Sequence, residues 1–330
     1  MSEVKIVVTG AAGFIGSRLL ADLSSRHPAA DLLAVDHPVI ETKRANLGSA
    51  PGVMFLGHSD FIEALEAGRL DPRLILHMGA CSSTTEQDWG FLAENNLRYS
   101  QRLWSWCAAR GRRLIYASSA ATYGDGSDGF DDALPIRRLS PLNLYGRSKH
   151  EFDLWVEAQA AAGRPRPAQS VGLKFFNVFG CGEGHKGRMA SMVFHGFEQI
   201  RSTGWVRLFR SHRPDYADGG QLRDFIYVDD IVDVVAALVA DPAVSGLFNL
   251  GTGKARSFRD LTEAVFAAMG LPPQIEYVPM PEDLQGRYQY FTQATMRKLA
   301  DAGIRYRPTP LEDAVARYVA RLATAGRTGT

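Results

Sequence analysis

The segment that most limits what this chain can fold into is its beginning. A β-branched apolar run, Val4-Lys5-Ile6-Val7-Val8, feeds Thr9-Gly10-Ala11-Ala12-Gly13-Phe14-Ile15-Gly16, and an amphipathic stretch follows to Arg26. A strand that turns through three glycines straight into a helix opens a βαβ unit, which commits the following chain to a parallel sheet. The first half keeps that grammar. Short β-rich runs at Leu32–Asp36, Val53–Leu56, Leu74–Met78, Arg113–Ala117 and Ser170–Phe175 alternate with amphipathic helical stretches, among them Asn95–Arg110 and one starting near Tyr145. Six or seven parallel strands are expected, in an α/β fold with a doubly wound, Rossmann-type sheet.

After Asn177 the pattern changes. A glycine-rich segment, Gly180 to Gly187, leads to a predicted helix over Met189–Ile200 and then to a polar stretch, Ser211–Leu222, the expected lid or edge of a smaller α/β substrate lobe. Phe225–Val228 and Leu247–Leu250 read as strands around a helix at Ile231–Val239, so the chain is expected to return there to the first lobe. The expected division is residues 1–176 as the dinucleotide-binding domain, rejoined by about 224–250, with 177–223 and 251–330 forming the substrate lobe; helices near Leu261 and Leu311 close the chain.

Charge and cysteine content remove several classes of function. With 37 Lys+Arg against 36 Asp+Glu, the net charge of +1 leaves no electrostatic footprint for nucleic acid or an anionic membrane. Three cysteines without ligand spacing give neither a disulfide framework nor a metal site. No apolar run approaches the roughly 18 residues of a membrane span, and the start reads as a strand rather than a leader, so a cytoplasmic enzyme is expected.

The chemistry gathers at the ends of the predicted strands. Gly10, Gly13 and Gly16 allow a pyrophosphate to approach backbone N–H groups at a helix N-terminus. Asp36, about twenty residues after the last glycine, stands where a carboxylate takes ribose hydroxyls. An acid there argues for NAD, whereas Lys43 and Arg44 offer cations to a 2′-phosphate, so NADP and NAD both remain open. Met78, Gly79, Ala80, Cys81 and Ser82 follow the fourth strand, where small residues suit a cofactor floor. Tyr145 and Lys149 share one helix face, and the ammonium is expected to bring the phenol below its reference of about 10. Ser118-Ser119, after the fifth strand, brings hydroxyls to the same edge, with Ser119 able to hydrogen-bond an alcohol under oxidation.

The glycine turn, the Ser/Thr strand end and the Tyr/Lys helix, in that order, resemble the extended short-chain dehydrogenases/reductases. Longer strings narrow the likeness: Gly79-Ala80-Cys81-Ser82-Ser83-Thr84-Thr85-Glu86, Phe176-Asn177-Val178-Phe179-Gly180, Glu183-Gly184-His185-Lys186-Gly187, Met189-Ala190-Ser191 and Gly286-Arg287-Tyr288-Gln289. From Val4 to the final helix the chain resembles the ADP-heptose 6-epimerase family of sugar-nucleotide epimerases. The resemblance implies an NADP-dependent inversion at C6″ of an ADP-linked heptose, Tyr145 and Lys186 as the acid/base pair, and a homo-oligomer, a pentamer in the family. It places Phe14, Ile15, Asp36, His37, Lys43, Asn95, Lys149, Val178 and Lys186 on the cofactor, with Lys43 toward its 2′-phosphate. Asn177, Arg188, His195, Phe209, Arg210, Ser211, Arg223 and Tyr288 fall to the sugar nucleotide, where Arg223 suits bidentate contact with a diphosphate. The chain departs from the pattern at His37, where Asn is common, at Cys181, where Pro is common, and at His58, where a further lysine is common. Arg188 replaces a small polar residue, and Ser211–Leu222 is longer.

Three other readings compete. A UDP-hexose 4-epimerase shares the Tyr/Lys pair but has no evident need for the Gly184-His185-Lys186 loop. A dehydratase wants Asp-Glu after the Ser/Thr, where this chain has Ala120-Ala121. A nucleotide-binding scaffold without turnover is disfavoured by intact Ser119, Tyr145 and Lys149.

Overall fold

The computed structural model describes residues 5–37, 41–48, 50–281 and 289–325. The strands are β1 (Ile6–Thr9), β2 (Leu32–Asp36), β3 (Met54–Gly57), β4 (Leu74–His77), β5 (Arg113–Ser119), β6 (Gln169–Phe175), β7 (Asn177–Phe179), β8 (Val206–Phe209), β9 (Leu222–Tyr227), β10 (Gly246–Leu250), β11 (Ala255–Ser257) and β12 (Ile275–Val278). The α-helices among the described residues are α1 (Phe14–Arg26), α2 (Glu41–Leu47), α3 (His58–Glu66), α4 (Trp89–Leu92), α5 (Tyr99–Arg110), α6 (Leu144–Ala161), α7 (Met192–Thr203), α8 (Val228–Ala240), α9 (Phe258–Ala268), α10 (Arg297–Asp301) and α11 (Leu311–Ala325).

Seven strands form one sheet in the order β10-β6-β5-β4-β1-β2-β3, every neighbouring pair parallel. The central strands β1, β2 and β4 are buried along their whole length, which is why their sequences are unbroken apolar runs rather than alternating ones. Side chains still alternate between faces: Ile6 and Val8 pack under α1 and α8, whereas Val7 packs under α3 and α5. The order reverses between β1 and β4, and in such sheets the crevice beside that reversal, at the carboxyl ends, receives the ligand.

One strand lies elsewhere than the sequence suggests. Phe225–Tyr227 belongs to β9, which pairs with β7 and β11 in a separate three-stranded sheet. An apolar buried strand carries no mark of which sheet it joins, so its partner is decided by tertiary packing. The return to the large sheet comes one element later, where α8 lies against α1: Arg18 donates from Nε and Nη2 to Asp229 Oδ1 at 3.1 and 2.8 Å. The expected helix over Met189–Ile200 divides into a 3₁₀ segment, Gly184–Met189, and α7, because Ser191 breaks away to cap α7 by accepting from the Phe194 N–H at 3.3 Å. A second core, built on Val193, Phe197, Leu261, Val265, Val315 and Tyr318, joins α7, α9 and α11 over the small sheets. No described helix is long and apolar enough to cross a membrane.

Candidate active site

A cleft of about 820 Å³ opens at the carboxyl ends of β1, β4 and β5 and is closed on its other side by β7, the 184–189 segment, α7 and Phe258 of α9. Its floor begins at the glycine turn. Gly10 has φ +66°, and a Cβ there would stand 2.7 Å from Gly79 Cα, so only glycine lets the loops after β1 and β4 abut. The N-cap of α1, Gly13, contributes no side-chain cap, and Phe14, Ile15 and Gly16 line the cleft. A helix N-terminus opening bare on a cleft, beside a glycine cradle, fits the pyrophosphate of a dinucleotide.

At one end of the cleft Asp36 is buried at the tip of β2. Its oxygens accept from the Ala12 N–H at 2.9 Å and the His37 N–H at 2.8 Å, which fixes the carboxylate against the glycine turn. His37, Lys43 and His58 stand around it on the wall.

The loop after β4 is held by two buried polar residues that the sequence did not single out. His77 hydrogen-bonds to Thr9 Oγ1 at 2.7 Å and Ser100 Oγ at 2.9 Å; burial, with the Lys149 charge adding to it, pushes its imidazole down to about 3, so it is a neutral strut. Asn96 accepts from the Cys81 N–H at 2.8 Å and donates to the Cys81 carbonyl and to Ser148 Oγ, each at 2.9 Å. It sits in a π-helical turn, Ala93–Arg98, that joins this loop to α6. Asn95 lines the cleft, with its side chain donating back to the Phe91 carbonyl at 2.9 Å.

Helix α6 starts under an Asn143 cap, whose Oδ1 accepts from the Gly146 N–H at 2.7 Å. A Cβ on Gly146 would lie 2.7 Å from the Ala121 carbonyl oxygen, so glycine allows the first turn of α6 to seat against the turn that follows β5. That seating puts Tyr145 and Lys149 in one cleft with Ser119. The expected acidic phenol is not found. Burial raises Tyr145 above 10, the Ser119 hydroxyl beside it works the other way, and Cys81 adds to the rise. The ammonium of Lys149 is instead engaged 2.9 Å from the Ala117 carbonyl. Burial lowers Lys149 itself to about 8, against the pull of Asp153 one turn along the helix.

Lys186 enters from the 184–189 segment, its Nζ 5.4 Å from the centroid of the Phe14 ring. Burial lowers it, opposed by Glu183. Glu183 anchors the segment, accepting from the Gly180 N–H at 3.2 Å, the Ser191 N–H at 2.6 Å and Ser191 Oγ at 2.7 Å. Its neighbour His185 hydrogen-bonds with Asn46 at 3.3 Å, and Asn46 also donates to the Ala12 and Gly182 carbonyls at 3.0 and 3.1 Å. The segment is thereby tied to the glycine turn.

The cleft gathers the sequence-predicted cofactor residues apart from Arg44, the four candidate catalytic residues and Asn177. Arg188, His195, Phe209, Arg210, Ser211 and Arg223 do not line it, and Tyr288 lies outside the described residues. Arg223 is nevertheless close behind the wall: its guanidinium lies 5.6 Å from the ring centroid of Phe258, which is cleft-lining. Thr84, Tyr99 and Phe258 join the lining without having been named as site residues; Thr84 lies within the Gly79–Glu86 string, whereas nothing in the local sequence marks Tyr99 or Phe258.

The profile of the NAD dependent epimerase/dehydratase family matches residues 6–251, the span that carries the glycine turn and the Ser119, Tyr145, Lys149 and Lys186 cluster. The chain belongs to this family. A relative from Nitratidesulfovibrio vulgaris, named ADP-L-glycero-D-manno-heptose-6-epimerase, is 50% identical over 322 residues, covering 97% of this chain and 98% of its own. The crystal structure of the Helicobacter pylori ADP-L-glycero-D-manno-heptose-6-epimerase superposes with a TM-score of 0.80 at 25% identity, covering 98% and 97% of the two chains. A Thermus thermophilus UDP-glucose 4-epimerase in complex with NAD superposes at 0.78, also 25% identical, over 97% and 99%. As a member of this epimerase family the chain is a nicotinamide-dependent enzyme, and the bare α1 terminus and glycine cradle are where its cofactor fits.

Proposed function

We propose that this enzyme inverts C6″ of ADP-D-glycero-D-manno-heptose, giving ADP-L-glycero-D-manno-heptose, with NADP as its cofactor. The observation that carries the reading is the convergence of Ser119, Tyr145, Lys149 and Lys186 on the cleft that holds the glycine turn, in a chain half identical to relatives bearing that name. The division that goes with it assigns 1–176 and about 228–250 to the cofactor and 177–227 and 251–330 to the sugar nucleotide, β9 going with the smaller lobe.

The nicotinamide, when bound, supplies the reversible two-electron exchange that oxidation and re-reduction at one carbinol carbon require. The residues of the chain handle the proton and the geometry. Tyr145 takes and returns the proton at the substrate oxygen, and Ser119 Oγ hydrogen-bonds that oxygen. Lys149 holds the nicotinamide ribose and, once a phenolate forms, is the nearby cation that stabilises it. An inversion leaves the oxygen pointing two ways, before and after rotation about C5″–C6″, and one acid/base group is poorly placed for both. Lys186, reaching the cleft from a different segment and lowered by burial toward neutrality, is the second. Arg223, behind Phe258, and Asn177 lie on the side expected to meet the ADP group.

The test is NMR of purified protein incubated with ADP-D-glycero-D-manno-heptose, with ADP-glucose and UDP-glucose in parallel, and with the released cofactor identified by mass. Formation of the L-glycero epimer with NADP recovered supports the reading. A 4-epimer formed from UDP-glucose, with the heptose unchanged, overturns it.

A further inference from the structure

The parallel pairing of β2 and β3 matches Asp36 with Gly57. The first residues beyond the two strands, His37 and His58, therefore emerge side by side, with ring centroids 3.7 Å apart and planes tilted by 37°. Both line the cleft next to Asp36 and Lys43. In a sheet of this kind the acid at the end of β2 meets the adenosine ribose. The imidazole pair thus lies where a substituent on that ribose would project.

Around the pair stand Asp36 on β2, Asp60 and Ser59 on α3, Lys43 on α2 and Tyr99 on α5. Tyr99 donates to the His58 carbonyl at 3.1 Å, and its ring is 5.7 Å from the His58 ring. Burial and then His37 lower His58, while Asp36 and Asp60 pull the other way. Two imidazolium rings this close repel one another, so the pair favours at most one proton. Burial of His58 and the ring of His37 beside it disfavour a proton on His58, and Asp36 and Asp60 offset this only in part. A phosphate dianion beside it would bring the proton on and add an ionic hydrogen bond to the charge of Lys43.

We propose that His37 and His58, with Lys43, form a proton-linked clamp for the phosphate monoester on the adenosine ribose of the cofactor, so that binding the phosphorylated dinucleotide draws one proton into the protein. This rests on the cofactor reading above and adds a consequence to it: preference for NADP over NAD weakens as pH rises. A lysine at position 58 would hold its charge throughout that range and give no such dependence.

Calorimetric titration of the full chain with NADP and with NAD, from pH 7.0 to 8.5 in buffers of different ionisation enthalpy, tests it. This window lies above the second phosphate ionisation of about 6, so the ligand charge is constant. Linkage allows at most about a tenfold loss of affinity per pH unit for one proton taken up. The expected result is NADP binding that weakens about three- to tenfold across the window, with a heat that varies with the buffer, while NAD shows neither effect. His58→Gln is expected to abolish the pH slope for NADP and leave NAD binding unchanged. His58→Lys is expected to bind NADP at pH 8.5 as tightly as at 7.0 without proton uptake. NADP binding without proton uptake, or a wild-type slope retained in His58→Gln, overturns the clamp. If NADP still binds more tightly than NAD in that case, the cofactor assignment stands without it. Equal affinity for NAD and NADP at every pH overturns both.

Discussion

Replacing Lys149 by methionine is expected to make the protein more stable while removing its turnover. The side chain is buried, and burial lowers its ammonium from 10.5 to about 8. At pH 7 the lysine is charged in both folded and unfolded protein, so that fall corresponds to about 3 kcal/mol by which folding disfavours the charge. Methionine fills the space of the lysine stem and brings no charge. It forfeits the hydrogen bond to the Ala117 carbonyl, and leaving that acceptor without its donor costs about 1 kcal/mol. The balance is a gain of about 2 kcal/mol at pH 7, a rise in Tm of about 3 °C for a chain of this size. The pH dependence carries a sign. A lysine depressed on folding handicaps the wild type fully below about 8; the handicap shrinks as pH rises toward the unfolded value of about 10.4 and is absent above it. Urea unfolding of both proteins at pH 7 and pH 10 reads the difference, and epimer formation reads the loss of function. A variant less stable than wild type at pH 7, or an equal difference at both pH values, would refute the reasoning.

Other substitutions separate chemistry from architecture. Tyr145→Phe and Lys186→Met are each expected to lower kcat by about a hundred- to ten-thousand-fold with cofactor binding retained; for Lys186→Met, weaker sugar-nucleotide binding with unchanged turnover would instead make Lys186 a binding residue. Lys174→Met removes one partner of an ion pair closed off from solvent, in which Nζ lies 2.9 Å from Asp153 Oδ2 and 2.6 Å from Thr122 Oγ1. It should cost about 3–5 kcal/mol in urea unfolding, and a loss below about 1 kcal/mol would contradict that. Gly146→Ala sets a methyl 2.7 Å from the Ala121 carbonyl oxygen. The expected outcome is a loss of about 1–3 kcal/mol and a fall in kcat from the displaced Tyr145, read by denaturation and by turnover.

Much of the framework was legible because it is local. Strand β1, the glycine turn and α1 are dictated by consecutive residues, and α1 spans Phe14–Arg26 as its periodicity indicates. Six further β-rich runs, five before Asn177 and Leu247–Leu250 after it, became the other members of the large sheet. The membership of Phe225–Tyr227 was not legible, since an apolar strand fits any buried sheet. Nor were the residues that hold the site in place. Asn96 reaches the Cys81 loop fifteen residues back and Ser148 fifty-two residues on, and Glu183 works by bending its own loop onto Ser191. Such hubs are ordinary polar residues until the fold brings their partners in. The Tyr145/Lys149 spacing was read correctly as one helix face, but the effect on the phenol was not, because burial raises the phenol and the ammonium is engaged by the Ala117 carbonyl instead.

The most direct test of the central claim is to run the reaction on ADP-D-glycero-D-manno-heptose in D₂O and to read C6″ of the product by NMR. Oxidation and re-reduction inside the cleft predict the L-glycero epimer with its original protium still on C6″. Deuterium at C6″ would contradict the account by requiring exchange of that hydrogen with solvent, and an unchanged heptose would contradict the substrate assignment.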